Sequence, residues 1–204
     1  MKNRLIILGS FRPRGRCAQI AKALEASYTE ADPKVSVTVF SLAQEQVGPC
    51  RACNSCACDD LCTVDDDMQK LYTLLEGADE VTAISPVFFA GPSAQFKALL
   101  DRLQFFFWQY SEEREAGKAE ASASKASAKG LSAEGRLWPK KRPLRLFVVG
   151  DGNDPHGIEP LVICVRSAFA IAGFRLEDVF YGIGLDEESL DDMVAHPEPY
   201  RYRV

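Results

Sequence analysis

The sequence has no apolar stretch of membrane-spanning length, no block of massed basic charge and only two histidines in 204 residues. The first absence argues against a helical membrane protein, because each span needs about 20 consecutive apolar residues. The second argues against a protein that coats nucleic acid, since that work needs clustered Lys and Arg to displace counterions. The net charge is −5, and basic residues gather only around Arg12 to Arg16 and Lys140 to Arg145. The opening Met-Lys-Asn-Arg and Leu-Ile-Ile-Leu-Gly hold too short an apolar run for a secretory leader and show no cleavage pattern. The expected setting is the cytoplasm, with neither membrane nor nucleic acid as partner. Two missing motifs also bear on chemistry. Without GxGxxG or GK(S/T), readings as a dinucleotide dehydrogenase or a P-loop NTPase are weak.

What is present is an alternation of short apolar runs and helical patterns. Residues 4–9, 35–42, 80–87 and 144–150 are rich in Val, Ile, Leu and Phe with little period-two alternation, as parallel strands buried on both faces should be. Between them, Cys17, Ile20, Ala21, Leu24 and Tyr28 recur at helical spacing, as do Met68, Leu71, Tyr72 and Leu75, and then Phe96, Leu99, Leu100 and Leu103. A fourth helix is expected over 158–172, ending at Gly173, and a fifth strand over 176–181. The sum is a single α/β domain, residues 1–204, built on a doubly wound five-stranded parallel sheet of order 2-1-3-4-5 with helices on both faces. Its ligand is expected at the carboxyl ends of the strands, where the order reverses.

Three loops meet at that edge. "GSFRPRGRCAQIAKAL", from Gly9, runs a glycine-containing turn into a helix whose first N–H groups and dipole favour an anion, with Arg12, Arg14 and Arg16 in reach. A monophosphate fits; the plain alternative is a turn with solvated arginines. "SPVFFAGPSAQFKALLDR", from Ser85, offers backbone hydrogen bonds and a flat apolar wall at Phe88 and Phe89. "VVGDGNDPHG" supplies Gly150 and Gly152, where backbone can approach a ligand closely. Together the loops suit a phosphate, a sugar-like tether and a flat heterocycle.

The cysteines are concentrated. "CRACNSCACDDLC", residues 50–62, holds five of the seven. In a reducing compartment such a cluster points to a metal or redox device rather than a disulfide framework. Cys50, Cys53, Cys56 and Cys62 give C-x2-C-x2-C-x5-C, from which four thiolates could hold a 4Fe-4S cluster or a structural zinc, or remain unligated redox thiols. Cys58 is the extra thiol, and Cys164 reads as a small buried hydrophobe.

The first two loops resemble the GSxRxxGx(S/T) and SPVYFxxPSAQLKxxxDR segments of the NAD(P)H-dependent FMN reductase family, within the flavodoxin-like proteins. With the cysteine loop, the chain is similar to the iron-sulfur flavoprotein branch. The resemblance implies FMN, with Ser10, Arg12, Gly15, Arg16 and Cys17 as phosphate contacts. It also implies that Pro86, Val87, Phe88 and Phe89, with Gly150, Asp151 and Gly152, flank the isoalloxazine. Cys17 stands where the family usually has Thr or Ser, leaving its backbone N–H as donor, and Phe88 stands where Tyr is frequent. The branch raises the cluster reading over zinc. FMN beside a cluster would convert between two-electron donors such as NAD(P)H and one-electron carriers. The implied protein is an oxidoreductase passing electrons to a small-molecule or protein partner, as a homodimer or homotetramer. The alternatives are an NAD(P)H-dependent flavin or quinone reductase without a cluster, and a zinc-stabilised interaction domain.

No catalytic side chain is expected. His156 reads as a loop residue that could donate to reduced flavin, and His196 as tail. Asp65 to Asp67 read as helix N-terminal charge, and Lys97, Asp101 and Arg102 as helix-surface ion pairs. The Ala-, Ser-, Lys- and Glu-rich insertion at about 111–140 is expected to be a surface loop, or else a lid or an oligomer arm reaching over a site. The aromatic block Phe105 to Trp108 cannot all face one core, because a helix turns 100° per residue.

Overall fold

The computed structural model describes residues 2–59, 61–108, 141–152 and 155–202. The expected insertion at 111–140 thus lies outside the described residues. The strands β1 (Asn3–Leu8), β2 (Ser36–Ser41), β3 (Glu80–Phe88), β5 (Arg142–Gly150) and β6 (Phe174–Ile183) pair in the order β2-β1-β3-β5-β6. Every neighbouring pair on this path is parallel. β4 (Gly91–Pro92) folds back antiparallel on the end of β3. Setting that short return aside, the order is the doubly wound one expected from the sequence.

Alternation along buried strands divides the core in two. Leu5 and Ile7 face a core shared with the helices α3 (Met68–Gly77), α4 (Ala94–Arg102) and α5 (Glu159–Ile171). Ile6 and Leu8 face the opposite core, with α1 (Arg16–Ala31) and α6 (Glu187–Ala195). The helices therefore cover both faces, as parallel sheets require. α6 was not expected. Its start is marked by Asp186, whose Oδ1 accepts the Ser189 N–H at 2.9 Å, and its inward contacts are Leu190 and Met193. After α6 the chain returns to the sheet edge, where Arg201 bridges Phe180 and the Tyr202 N–H donates to Val179 at 2.7 Å. His196 is not loose tail, since its N–H closes the last turn of α6 on Asp192.

The carboxyl ends of β1 and β3 are stitched together. Ser93 caps α4 by accepting the Phe96 N–H at 3.2 Å, and its hydroxyl donates to the Gly9 carbonyl at 2.8 Å. Gly9 is required there, because a Cβ would stand 2.8 Å from the Phe96 ring. Between Phe88 and Gly91 the turn is made by Phe89 and Ala90 at φ +50° and +60°. A two-residue hairpin of this kind normally uses Asn-Gly, so both residues carry strain.

Arg102 corrects the surface reading. Lys97 and Asp101 do form an exposed i,i+4 pair at 2.5 Å, but Arg102 is 2% exposed. Its guanidinium donates to Asp66 through two nitrogens at 2.8 and 3.1 Å and to the carbonyls of Gly48 and Val64. Asp66 is accordingly not only helix-terminal charge, although its Oδ1 also accepts the Met68 N–H that opens α3. The aromatic block splits as geometry demands: Phe105 and Phe106 are buried against Tyr72, while Phe107 is 37% exposed and lies edge-on to Trp108.

Candidate functional site

All the residues expected at the cofactor, except Phe89 and Gly152, line one open cavity of about 470 Å³ at the carboxyl ends of β1, β3 and β5. Phe89 is 97% exposed at the hairpin tip and outside the lining, as is Gly152. One wall is the start of α1. That helix begins after Gly15 with no side-chain cap and no acidic residue in its first turn, so its free N–H groups and dipole face the cavity without internal competition. Ser10 is buried beneath it, and its hydroxyl accepts the Arg12 N–H at 3.2 Å, which shapes the loop. Gly150 forms the opposite wall. A Cβ there would stand 2.7 Å from both Val87 and Ile183, so only glycine lets these two side chains close against the backbone at this wall.

The charges at the mouth are uneven. Arg16 pairs with Asp151 across the opening, and Gln19 donates to Glu187 at 2.9 Å. Arg12 and Arg14 make no ion pair among the described residues. Burial pushes the Cys17 thiol up to about 11, against the lowering effect of its hydrogen bond with Ser10, so it stays neutral at ordinary pH. Phe11, Gln19, Gln95 and Glu187 also line the cavity and were not singled out from the sequence. Glu187 could have been found only by recognising the Asp-x-x-Ser start of α6. His156 is exposed and outside the lining.

A second cavity, of about 390 Å³, brings Cys50, Cys53, Cys56 and Cys62 into one wall together with Arg102 and Trp108. Cys58 is exposed and stands outside it. Cys164, in α5, is half-buried against the core rather than fully enclosed. The loop winds around its second cysteine because Ala52 and Asn54 both take positive φ, +52° and +61°. A single turn of helix, α2 (Ser55–Cys58), follows. The Ser55 hydroxyl donates to Cys53 Sγ at 3.4 Å and the Thr63 hydroxyl lies 3.5 Å away, which brings that thiol down to about 7. Cys56 is held above its ordinary value, first by burial and then by its proximity to Cys62, Cys50 and Cys53. Among the described residues, no three His, Cys, Asp or Glu side chains are grouped to hold a single metal ion.

The two cavities share a helix. Ser93 and Gln95, at the start of α4, line the first, and Asp101 and Arg102, at its end, line the second. Gln95 and Asp101 are six residues apart on this helix, about 9 Å at 1.5 Å per residue.

A family model described as NADPH-dependent FMN reductase matches residues 3–153, which include both the phosphate-type loop and the cysteine loop. The chain belongs to the NADPH-dependent FMN reductase family. Within this FMN reductase family it resembles iron-sulfur flavoproteins. It is 43% identical over 65 residues to one from Methanosarcina thermophila, covering 32% of this chain and 34% of that protein. It is 35% identical over 96 residues to one from Methanocaldococcus jannaschii, covering 47% and 49%. The matches therefore span between a third and a half of these curated relatives. In fold, the chain is similar to an azoreductase from Bacillus anthracis, with a TM-score of 0.62 and 17% identity over 96% of this chain and 94% of that one. An NADH:FMN oxidoreductase gives 0.55 and 12% identity over 100% and 92%. Among the described residues no helix is long and apolar enough to cross a membrane.

Proposed function

We propose that this protein is an iron-sulfur flavoprotein that binds FMN in the first cavity, holds a 4Fe-4S cluster in the second, and passes electrons to a partner. The observation that carries the reading is the placing of two cavities of different chemistry at the two ends of α4. The first fits FMN in its donor set: uncapped N–H groups, Arg12 and Arg14 for the phosphate, and Phe88 with the glycine-walled floor for the ring. Bound there, FMN would supply hydride acceptance from NAD(P)H and release of single electrons. The chain's own part is to neutralise the phosphate, seat the ring and keep Cys17 uncharged beside it.

The second cavity fits a cluster in its four thiols and in a buried donor, Arg102 Nε, that has no partner among the described residues. A tetrahedral zinc site draws sulfurs to about 3.8 Å from one another. A 4Fe-4S cluster takes one thiolate per iron and sets them further apart, which suits thiols spread around a wall better than a single ion does. Cys50, Cys53, Cys56 and Cys62 are the proposed ligands. We read the whole chain as one cytoplasmic domain working as a homo-oligomer.

The test is a visible spectrum with iron and sulfide analysis of anaerobically purified protein, repeated for Cys53→Ser/Cys56→Ser. Flavin bands with about four iron per chain, lost in the double variant while the flavin stays, support the reading. Flavin without iron or sulfide after reconstitution overturns the cluster. That result, with rapid NAD(P)H oxidation, supports instead a cluster-free flavin or quinone reductase, the reading favoured by the family match alone.

A further inference from the structure

Arg102 has more donors than its partners use. Two guanidinium nitrogens are occupied by Asp66 and the carbonyls of Gly48 and Val64. The third, Nε–H, is buried and has no partner among the described residues, and the side chain forms part of the cysteine cavity wall. An unpaired buried N–H is costly. It persists where something else is to be met.

The partners of Arg102 are also informative. Gly48 lies just before the first cysteine of the loop, and Val64 and Asp66 lie just after the last. One guanidinium thus ties both ends of the loop to the end of α4. The charge is right as well. A 4Fe-4S core with four thiolates carries a net charge of about 2− in its oxidised form and one more negative charge when reduced. Arg51 and Arg102 line the cavity; the one carboxylate in its lining, Asp101, is paired with Lys97, and Asp66, the counterion of Arg102, stands outside the lining.

We propose that Arg102 is the positioning residue of the cysteine-held group: it fastens the loop through its two terminal nitrogens and gives its Nε–H to the group or to a ligating sulfur. This inference rests on the cluster reading above. Fastening keeps the thiolates in register, so iron is retained. The fixed positive charge and the hydrogen bond favour the reduced, more negative form, so the reduction potential is raised.

The experiment compares wild type with Arg102→Lys and Arg102→Gln, each anaerobically reconstituted with iron and sulfide. The readouts are iron loss to a chelator, the cluster's midpoint potential, and flavin content as a control for folding. Both variants are expected to keep their flavin and to lose iron roughly tenfold faster or more, the usual scale for a residue that orients metal ligands. The midpoint should move to a more negative value in Arg102→Gln and recover part of the way in Arg102→Lys, which keeps the charge but not the fork. A purely structural role would change iron loss and leave the midpoint of the loaded fraction where it was. If Arg102→Gln does not fold because Asp66 is left unpaired, Arg102→Gln/Asp66→Asn removes the orphan carboxylate, and the lost donor still moves the midpoint the same way. Unchanged iron loss and midpoint overturn the role of Arg102 alone. A wild type that takes up flavin but no iron or sulfide overturns the cluster reading and this inference with it.

Discussion

Asp66 accepts hydrogen bonds from two nitrogens of Arg102 and from the N–H groups of Gly48 and Met68. Burial pushes its carboxyl up, but these bonds outweigh it and hold the group below its ordinary value of 3.8. A carboxyl depressed in the folded state contributes stability above its unfolded value and loses it as the pH falls through the folded one. Unfolding by urea at a series of pH values should therefore show stability dropping below about pH 4. Glu159, held low by Tyr202, and Asp186, held low by Ser189, contribute to the same acid limb. Asp66→Asn should flatten part of that limb. At neutral pH it should cost about 3–5 kcal/mol, because it leaves the Arg102 charge buried without its counterion. A cost under about 1 kcal/mol would mean that the pair is solvated like a surface bridge. At the mouth of the first cavity, Asp151→Asn frees Arg16 from its pair. FMN should then bind more tightly at low salt, with the gain shrinking as salt rises, as fluorescence titration would show.

Among the elements, the ends of β3, β5 and β6 meet at Gly150, and Gly150→Ala drives a methyl into Val87 and Ile183. It should lower stability by about 1–3 kcal/mol and weaken flavin retention on a desalting column. At the hairpin that closes β3, Ala90→Gly relieves a left-handed residue and should raise stability by about 1 kcal/mol in the same urea experiment. The strands and the helices packed on them were legible because the interior of a parallel sheet demands uninterrupted apolar runs, and Ile6, Ile7, Val81 and Leu146 supply them. α6 was not, since its few strongly apolar residues, Leu190, Met193 and Val194, fall late and its acidic start resembles a loop. Most of the first cavity was legible too, because strand-end loops are where such a sheet binds ligands. Arg102 was misread for a physical reason: next to Asp101 on a helix it looks solvated, and the partner that buries it lies 36 residues earlier. The winding of the cysteine loop was equally hidden, as its left-handed turns fall on Ala52 and Asn54 rather than on glycines.

For the whole molecule, the return of residues 201 and 202 to β6 covers one margin of the sheet. A chain ending at Pro199 would leave β6 with unpaired backbone groups, and light scattering on warming should show earlier aggregation than in the full chain. Elsewhere in the molecule, among the described residues only α4 lines both cavities. It holds Ser93 over one and Arg102 beside the other. Any coupling that this helix carries between the two proposed ligands is reciprocal. Whatever factor the flavin imposes on metal retention, the loaded cysteine loop must impose on flavin affinity, since the coupling free energy between two ligands has a single value whichever binds first.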